Sequence, residues 1–238
     1  LTIYVGCYRN DAATIAAASA AAGSDPRVRI VVHGAEGPTT KADCLNRLYR
    51  ALEADEARLA RSYASVILHD AEDMVHPAEL QAIDAALVLR DFVQLPVRPE
   101  LQPRSQWIAG HYADEFAESH AKGMVVRAAL DAPLPAAGVG CGVSRSALGE
   151  LAARRSADGE AGPFAPDCLT EDYELGLVMS QGGRGSAFLR MRDDSGALVA
   201  TGSFFPSRLD AAVRQKTRWV HGIAFQGWER PGWQGRPV

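Results

Sequence analysis

A chain of 238 residues with 47% hydrophobic and 23% charged side chains has the make-up of a soluble globular protein. It can bury a substantial core, as one domain or as two closely joined lobes. No stretch approaches the roughly 20 apolar residues that a membrane-spanning helix needs. The net charge of −4 and pI near 5.9 argue against a general nucleic-acid binder but leave room for a local basic pocket for small anions.

The chain opens on an apolar run, Thr2 to Gly6, with no initiator Met and no leader pattern, which reads as a fragment of something longer or a processed chain. That run predicts a first strand. An Ala-rich segment of high helix propensity follows from Ala12 to Ala22, and a second strand is expected from Val28 to Val32, completing a βαβ unit. Thr40 to Leu59 has a helical pattern opened by Thr40 with Asp43 three residues on, a capping box with Asp in place of Glu. Val66 to Leu68 predicts a strand, Pro77 to Leu89 a helix and Phe92 to Val97 another strand. Alternating β and α over the first hundred residues implies a parallel, doubly wound α/β sheet.

After Pro99 the character changes. Leu101 to Gly110 looks irregular, Tyr112 to Leu130 reads as an amphipathic helix, and Gly138 to Val143 is a Gly-rich strand or loop entering Ser144 to Leu148. The run Gly138-x-Gly140-x-Gly142 lacks the spacing of a dinucleotide fingerprint and the Lys-Ser/Thr of a P-loop. Its small residues instead suit close approach of a ligand or another element. Ala187 to Met191 and Leu198 to Phe205 look like a hairpin turned at Asp193-Asp194-Ser195-Gly196, and a helix is expected from about Arg208 to Trp228. Cys7, Cys44, Cys141 and Cys168 are scattered, with no C-x-x-C pair and no zinc-type His spacing, so they read as free thiols in a reducing compartment.

Three stretches could carry chemistry. In SVILHDAEDMVHP, residues 65 to 77, an apolar strand releases into His69, Asp70, Glu72 and Asp73, at the strand end where open α/β sheets bind ligands. On an extended backbone Asp70 and Glu72 would point to the same side and converge on one cation, with Asp73 facing away or capping the next helix. Oxygen-only ligands at an open site suit Mg²⁺ or Mn²⁺ arriving with a diphosphate. A solvated turn before an acidic helix start would use the same residues. The second stretch is Thr170-Glu171-Asp172, where one acid could act as a general base, or Thr170 could simply cap a helix whose first-turn acids complement the dipole. The third is Gln215-Lys216-Thr217-Arg218-Trp219. Gln215, Arg218 and Trp219 share one helix face and offer an amide, a diphosphate-binding fork and a stacking plane. An Arg and Trp packed together at a lobe interface is the plainer alternative.

In this order the three stretches resemble the inverting glycosyltransferases of family 2, especially the processive synthases related to cellulose and chitin synthase. Asp70-Ala71-Glu72 stands where the family has D-x-D, Thr170-Glu171-Asp172 matches T/E-D, and Gln215-x-x-Arg218-Trp219 matches Q-x-x-R-W. Lys41-Ala42-Asp43-Cys44-Leu45-Asn46 is similar to the family's K-x-x-x-L-N helix start, and Gly138 to Leu148 to its G-x-G loop and Arg-containing helix. The resemblance implies a GT-A-like fold with a nucleotide-sugar-binding lobe over residues 1 to 100 and an acceptor-binding, catalytic lobe over 101 to 238. It also implies a nucleoside diphosphate sugar as donor, UDP-linked, a saccharide as acceptor, and Mg²⁺ or Mn²⁺ as cofactor. Asp172 would be the catalytic base, Asp70 and Glu72 would hold the nucleotide diphosphate and its metal, and Lys41 would lie near the nucleotide. Gln215 and Arg218 would grip the diphosphate and the acceptor end, and Trp219 would stack on the acceptor sugar. Two departures stand out: Glu72 replaces the second Asp, and after the second strand only His33 or Glu36 stands where the family has an acidic residue.

Such proteins lie at the cytoplasmic face of the bacterial inner membrane, attached through flanking transmembrane helices, which would begin about where this chain ends, just after Trp233. Two other classes fit parts of the pattern. A catalytically degenerate module that binds a nucleotide or organises a polysaccharide secretion complex suits the two departures, and a metal-dependent nucleotidyltransferase suits the acidic site but gives Trp219 no role.

Overall fold

The computed structural model describes residues 1–160, 162–181 and 183–230; Trp233 lies outside them. By packing, the chain forms two compact units, Leu1–Tyr63 with Gly149–Asp167, and Ala64–Leu148 with Cys168–Val238. The boundary near residue 100 inferred from the sequence is one of ligand roles and falls inside the second of these units.

In the first unit, β1 (Ile3–Tyr8) and β2 (Val28–His33) pair in parallel from Ile3 opposite Val28 to Tyr8 opposite His33. The crossover of this βαβ unit runs through α1 (Ala12–Ala22), whose Asp11 cap accepts the Thr14 N–H at 3.0 Å. Next comes α2 (Lys41–Leu59), capped as its sequence requires: the Thr40 hydroxyl accepts the Asp43 N–H at 3.2 Å. Its buried residues, Ala42, Asn46, Tyr49, Leu52 and Asp55, recur every three or four positions, the spacing of one helix face. Asn46 is fixed by both halves of its amide, donating to the Phe164 carbonyl at 2.7 Å and accepting the Phe164 N–H at 3.0 Å.

The second unit holds the larger sheet. Its strands are β3 (Ser65–Leu68), β4 (Phe92–Gln94), β6 (Cys141–Ser144) and β7 (Ser186–Phe188), in the order β3-β6-β4-β7. The β4–β7 pair is parallel, and so is a second ladder between β5 (Val97–Pro99) and β8 (Thr201–Ser203). By contrast β6 runs antiparallel to both β3 and β4. The α/β class and the parallel-rich sheets follow the sequence reading, and one antiparallel strand inserted between β3 and β4 is what that reading lacked. Ile83 and Leu87 of α3 (Glu79–Leu87) join Val93, Leu95 and Val199 in a buried apolar cluster behind this sheet.

Two local expectations are corrected. The run Phe92 to Val97 is two strands, β4 and β5, parted at Leu95-Pro96, because proline has no N–H to give a ladder. The Asp193 turn forms as expected, with its backbone N–H bonded to Ala197 O at 2.9 Å. Its arms meet only at the Arg192–Leu198 bridge, while β7 and β8 pair with β4 and β5.

The remaining helices of this unit are α4 (Gln106–Glu118), α5 (Met124–Ala129), α7 (Glu171–Ser180), α8 (Leu209–Val220) and the single turn α9 (Gly227–Glu229). π-helical turns at Ser119–Gly123 and His221–Gln226 link α4 to α5 and α8 to α9. The first turn of α4 thus occupies part of the stretch expected to be irregular. After β6 comes α6 (Arg145–Ala157), whose residues from Gly149 onward belong to the first unit. No helix among the described residues is long and apolar enough to cross a membrane.

Candidate active site

The second unit gathers the three motifs. At the end of β3 the chain turns: the Asp73 N–H donates to the Asp70 carbonyl at 3.2 Å and the Asp70 N–H donates to the Asp73 carboxylate at 2.8 Å. Asp70 to Asp73 is therefore a turn and not extended backbone, so alternation does not align Asp70 with Glu72. What the turn presents is two accessible carboxylates, Asp70 half-buried and Glu72 exposed. Asp73 neither faces away nor caps α3; its side chain is fully buried beneath the turn.

Beneath the turn lies a charged cluster that the sequence reading passed over. The His69 ring stands 3.4 Å from Asp73 and 3.0 Å from Glu79, and Glu79, fully buried at the start of α3, accepts the Thr201 hydroxyl at 3.0 Å. Burial opposes a charge on His69, but the Asp73 and Glu79 carboxylates outweigh it and raise its pKa to about 9. The turn bearing Asp70 and Glu72 is thus anchored through His69 to α3 and β8. The available signal for Glu79 was its four-residue spacing from Ile83 and Leu87, which puts it on the apolar face of α3.

Asp172 lies in the first turn of α7. Thr170 occupies the capping position but makes no capping bond with its side chain; a Cβ on Gly222, in the second π turn, would collide with its side-chain hydroxyl. The Asp172 carboxylate accepts the Tyr173 N–H at 2.8 Å and lies directly over Gly138, whose φ is +81° and where a Cβ would strike it. That glycine is held in place by Gln94, fully buried on β4, whose amide accepts the Ala137 N–H at 2.8 Å and donates to Val139 O at 2.9 Å. The close approach expected of the Gly-rich run is real: Gly138 faces Asp172, Gly140 faces Thr201, and Gly142 faces Ile83.

From α8, Trp219 packs edge-on against Tyr112 and Phe205 at centroid distances of 6.1 and 6.3 Å. Beside it Lys216 is ion-paired with Glu115, its ammonium 4.5 Å from the Tyr112 ring centroid and 4.6 Å from that of Trp219. Arg218 donates to the Leu169 carbonyl at 3.0 Å and Gln226 accepts the Leu169 N–H at 2.8 Å, so α8 and the π turn that follows it grip the residue just before the Thr170-Glu171-Asp172 run. The Gln215 side-chain oxygen is buried and has no hydrogen-bond partner among the described residues.

Asp172 and Trp219 line one cavity of about 190 Å³, with Phe116, His120, Tyr173 and Ile223 among its walls. Asp70, Glu72, Gln215 and Arg218 are not among its lining residues. Lys41 opens α2 in the first unit. His120 was not singled out from the sequence, although it falls on a four-residue row with Tyr112, Phe116 and Met124.

Among the described residues no three His, Cys, Asp or Glu side chains gather as a metal-binding group. The donor set at the turn, two accessible carboxylates, still suits a hard divalent cation whose other ligands come from water and a diphosphate.

A family model described as glycosyltransferase like family 2 matches residues 1–222. The chain is 35% identical over 247 aligned residues to bacteriophage adsorption protein B of Escherichia coli strain K12 and, equally, to bacteriophage N4 adsorption protein B of Escherichia coli O157:H7. In each case the match covers 97% of this chain and 33% of the relative, so the chain spans about a third of the length of the relatives it matches. A match of this extent, on a chain that carries the three motifs in order, makes it a member of glycosyltransferase family 2.

Proposed function

We propose that this GT-A-type domain transfers a sugar, with inversion, from a UDP-sugar to a saccharide hydroxyl. The observation that carries the reading is the cavity shared by Asp172 and Trp219: a carboxylate and an indole plane at one apolar wall suit a sugar ring whose hydroxyl is to be deprotonated.

Asp172 takes the proton of the acceptor hydroxyl. The freed oxygen attacks the anomeric carbon as the bond to the diphosphate breaks on the opposite side. One base and one displacement suffice, unlike the carboxylate pair of glycosidases. Trp219 stacks on the acceptor, Arg218 and Gln215 hold the diphosphate and the acceptor end, and Lys41 approaches the nucleotide. Residues 1 to 100 serve the donor and residues 101 to 238 the acceptor. Asp70 and Glu72 would hold Mg²⁺ or Mn²⁺, which when bound offsets charge on the departing diphosphate. In the cell this reading puts the domain at the cytoplasmic face of a bacterial inner membrane, attached through flanking helices and engaged in exopolysaccharide synthesis.

Calorimetric titration of UDP, with Mn²⁺ and with EDTA, on the wild type and on Asp70→Ala tests the donor half. Metal-dependent binding lost in the variant is expected. No UDP binding in either condition would turn the reading toward a noncatalytic module or another nucleotide.

A further inference from the structure

His120 occupies the π-helical turn between α4 and α5, an element often found where function demands a local departure from the α-helix. It is 7% exposed. Its ring sits 5.0 Å from Phe116 and 5.7 Å from Phe188, and its Nδ1 accepts the Val97 N–H at 2.9 Å. Burial pushes its pKa down to about 4, so the imidazole is neutral at pH 7. A neutral imidazole whose Nδ1 accepts carries its proton on Nε2. Nε2 makes no hydrogen bond among the described residues, and His120 lines the same cavity as Asp172 and Trp219.

We propose that His120 is a specificity-determining residue for the acceptor, its Nε2–H donating to one hydroxyl of the saccharide while a second hydroxyl gives its proton to Asp172. The inference rests on the glycosyl-transfer reading and deepens it. The Nε2–H is a fixed donor on a wall shared with the apolar Phe116, Met124, Ala136 and Ile223 and with the hydroxyl-bearing Ser119, Thr170 and Tyr173, and it discriminates because a ligand without the matching hydroxyl leaves this buried donor unsatisfied. Beside the Tyr173 phenol, the ionisable groups sharing the wall with His120 are the carboxylates of Glu115 and Asp172, and the nearby ammonium of Lys216 is already engaged by Glu115. An anionic acceptor is therefore disfavoured and a neutral saccharide favoured.

The test is ligand binding to the chain labelled with ¹⁵N at histidine, using the methyl β-glycosides of glucose, galactose and N-acetylglucosamine and their monodeoxy derivatives. The ring spectrum should show the Nε2–H tautomer at neutral pH, and a bound glycoside should shift that resonance. His120→Leu should weaken the glycoside about tenfold, the worth of one hydrogen bond, and should lose discrimination against one monodeoxy derivative. His120→Gln should recover most of the affinity, since its amide can both accept from Val97 and donate to the sugar; this variant covers the case in which leucine disturbs folding. A glycoside that perturbs Trp219 but leaves His120 unmoved, equal affinity in wild type and His120→Leu, or no glycoside binding to the wild type would each overturn the proposal. Sugar transfer surviving in Asp172→Asn would instead overturn the underlying reading, and it would leave the tautomer and binding results intact.

Discussion

The carboxylate of Asp172 rests on the bare Cα of Gly138, in a space too small for a methyl group. Gln94 sets the height of that surface by bonding to the backbone on either side of Gly138. Gln94 on β4 thus helps to fix where the Asp172 carboxylate of α7 stands.

Gly138→Ala should accordingly act on catalysis more than on folding. Its left-handed φ costs an alanine about 1–2 kcal/mol, while the displaced carboxylate should lower kcat roughly 100-fold, as ångström-scale misplacement does. Steady-state kinetics beside urea unfolding of the same variant separate the two effects. An unchanged kcat would show that Gly138 does not position the base.

The anchor under the Asp70 turn leads to a different expectation. Glu79→Ala would leave His69 with one carboxylate and Thr201 without its acceptor in a buried setting, a loss of about 3–5 kcal/mol. Urea unfolding measures it directly. A loss below about 1 kcal/mol, the range of exposed pairs, would contradict the buried network.

His120 predicts a pH effect of definite sign. Its pKa is lower in the folded chain, about 4, than the unfolded reference of 6.5, so the unfolded state gains a proton first as pH falls. Its contribution is present above pH 6.5 and is lost progressively between pH 6.5 and 4, by up to about 3 kcal/mol. Comparing wild type with His120→Gln across that range should give a smaller slope in the variant. Parallel pH profiles would contradict a neutral, buried His120.

Much of this was legible from residues alone where the determinant is local. The first βαβ unit, the Thr40 cap and the helix carrying Gln215, Arg218 and Trp219 all follow from propensity, capping chemistry and periodicity within a few turns of chain. The strand partners did not. The Gly-rich segment showed that something approaches closely, but not that β6 would insert antiparallel between β3 and β4, since pairing at long separation leaves no local mark. The arms of the Asp193 turn carry strand-like sequence, and their partners, β4 and β5, lie about a hundred residues earlier. At the site, the sequence sets Asp73 apart from Asp70 and Glu72 as facing away or capping the next helix, and its burial beneath the turn escapes that reading because burial is not written in residue type. His120 goes unremarked in the sequence, because its row with Tyr112, Phe116 and Met124 has the spacing of any apolar helix face and nothing local marks a cavity.

The measurement that bears most directly on the central claim is sugar transfer by Asp172→Asn, followed as nucleoside diphosphate release from UDP-sugars in the presence of saccharide acceptors, alongside UDP binding by calorimetry. If Asp172 is the base, transfer falls to background while UDP affinity stays at the wild-type value. Wild-type-like turnover by Asp172→Asn would contradict the assignment and send the search for the base elsewhere in the cavity.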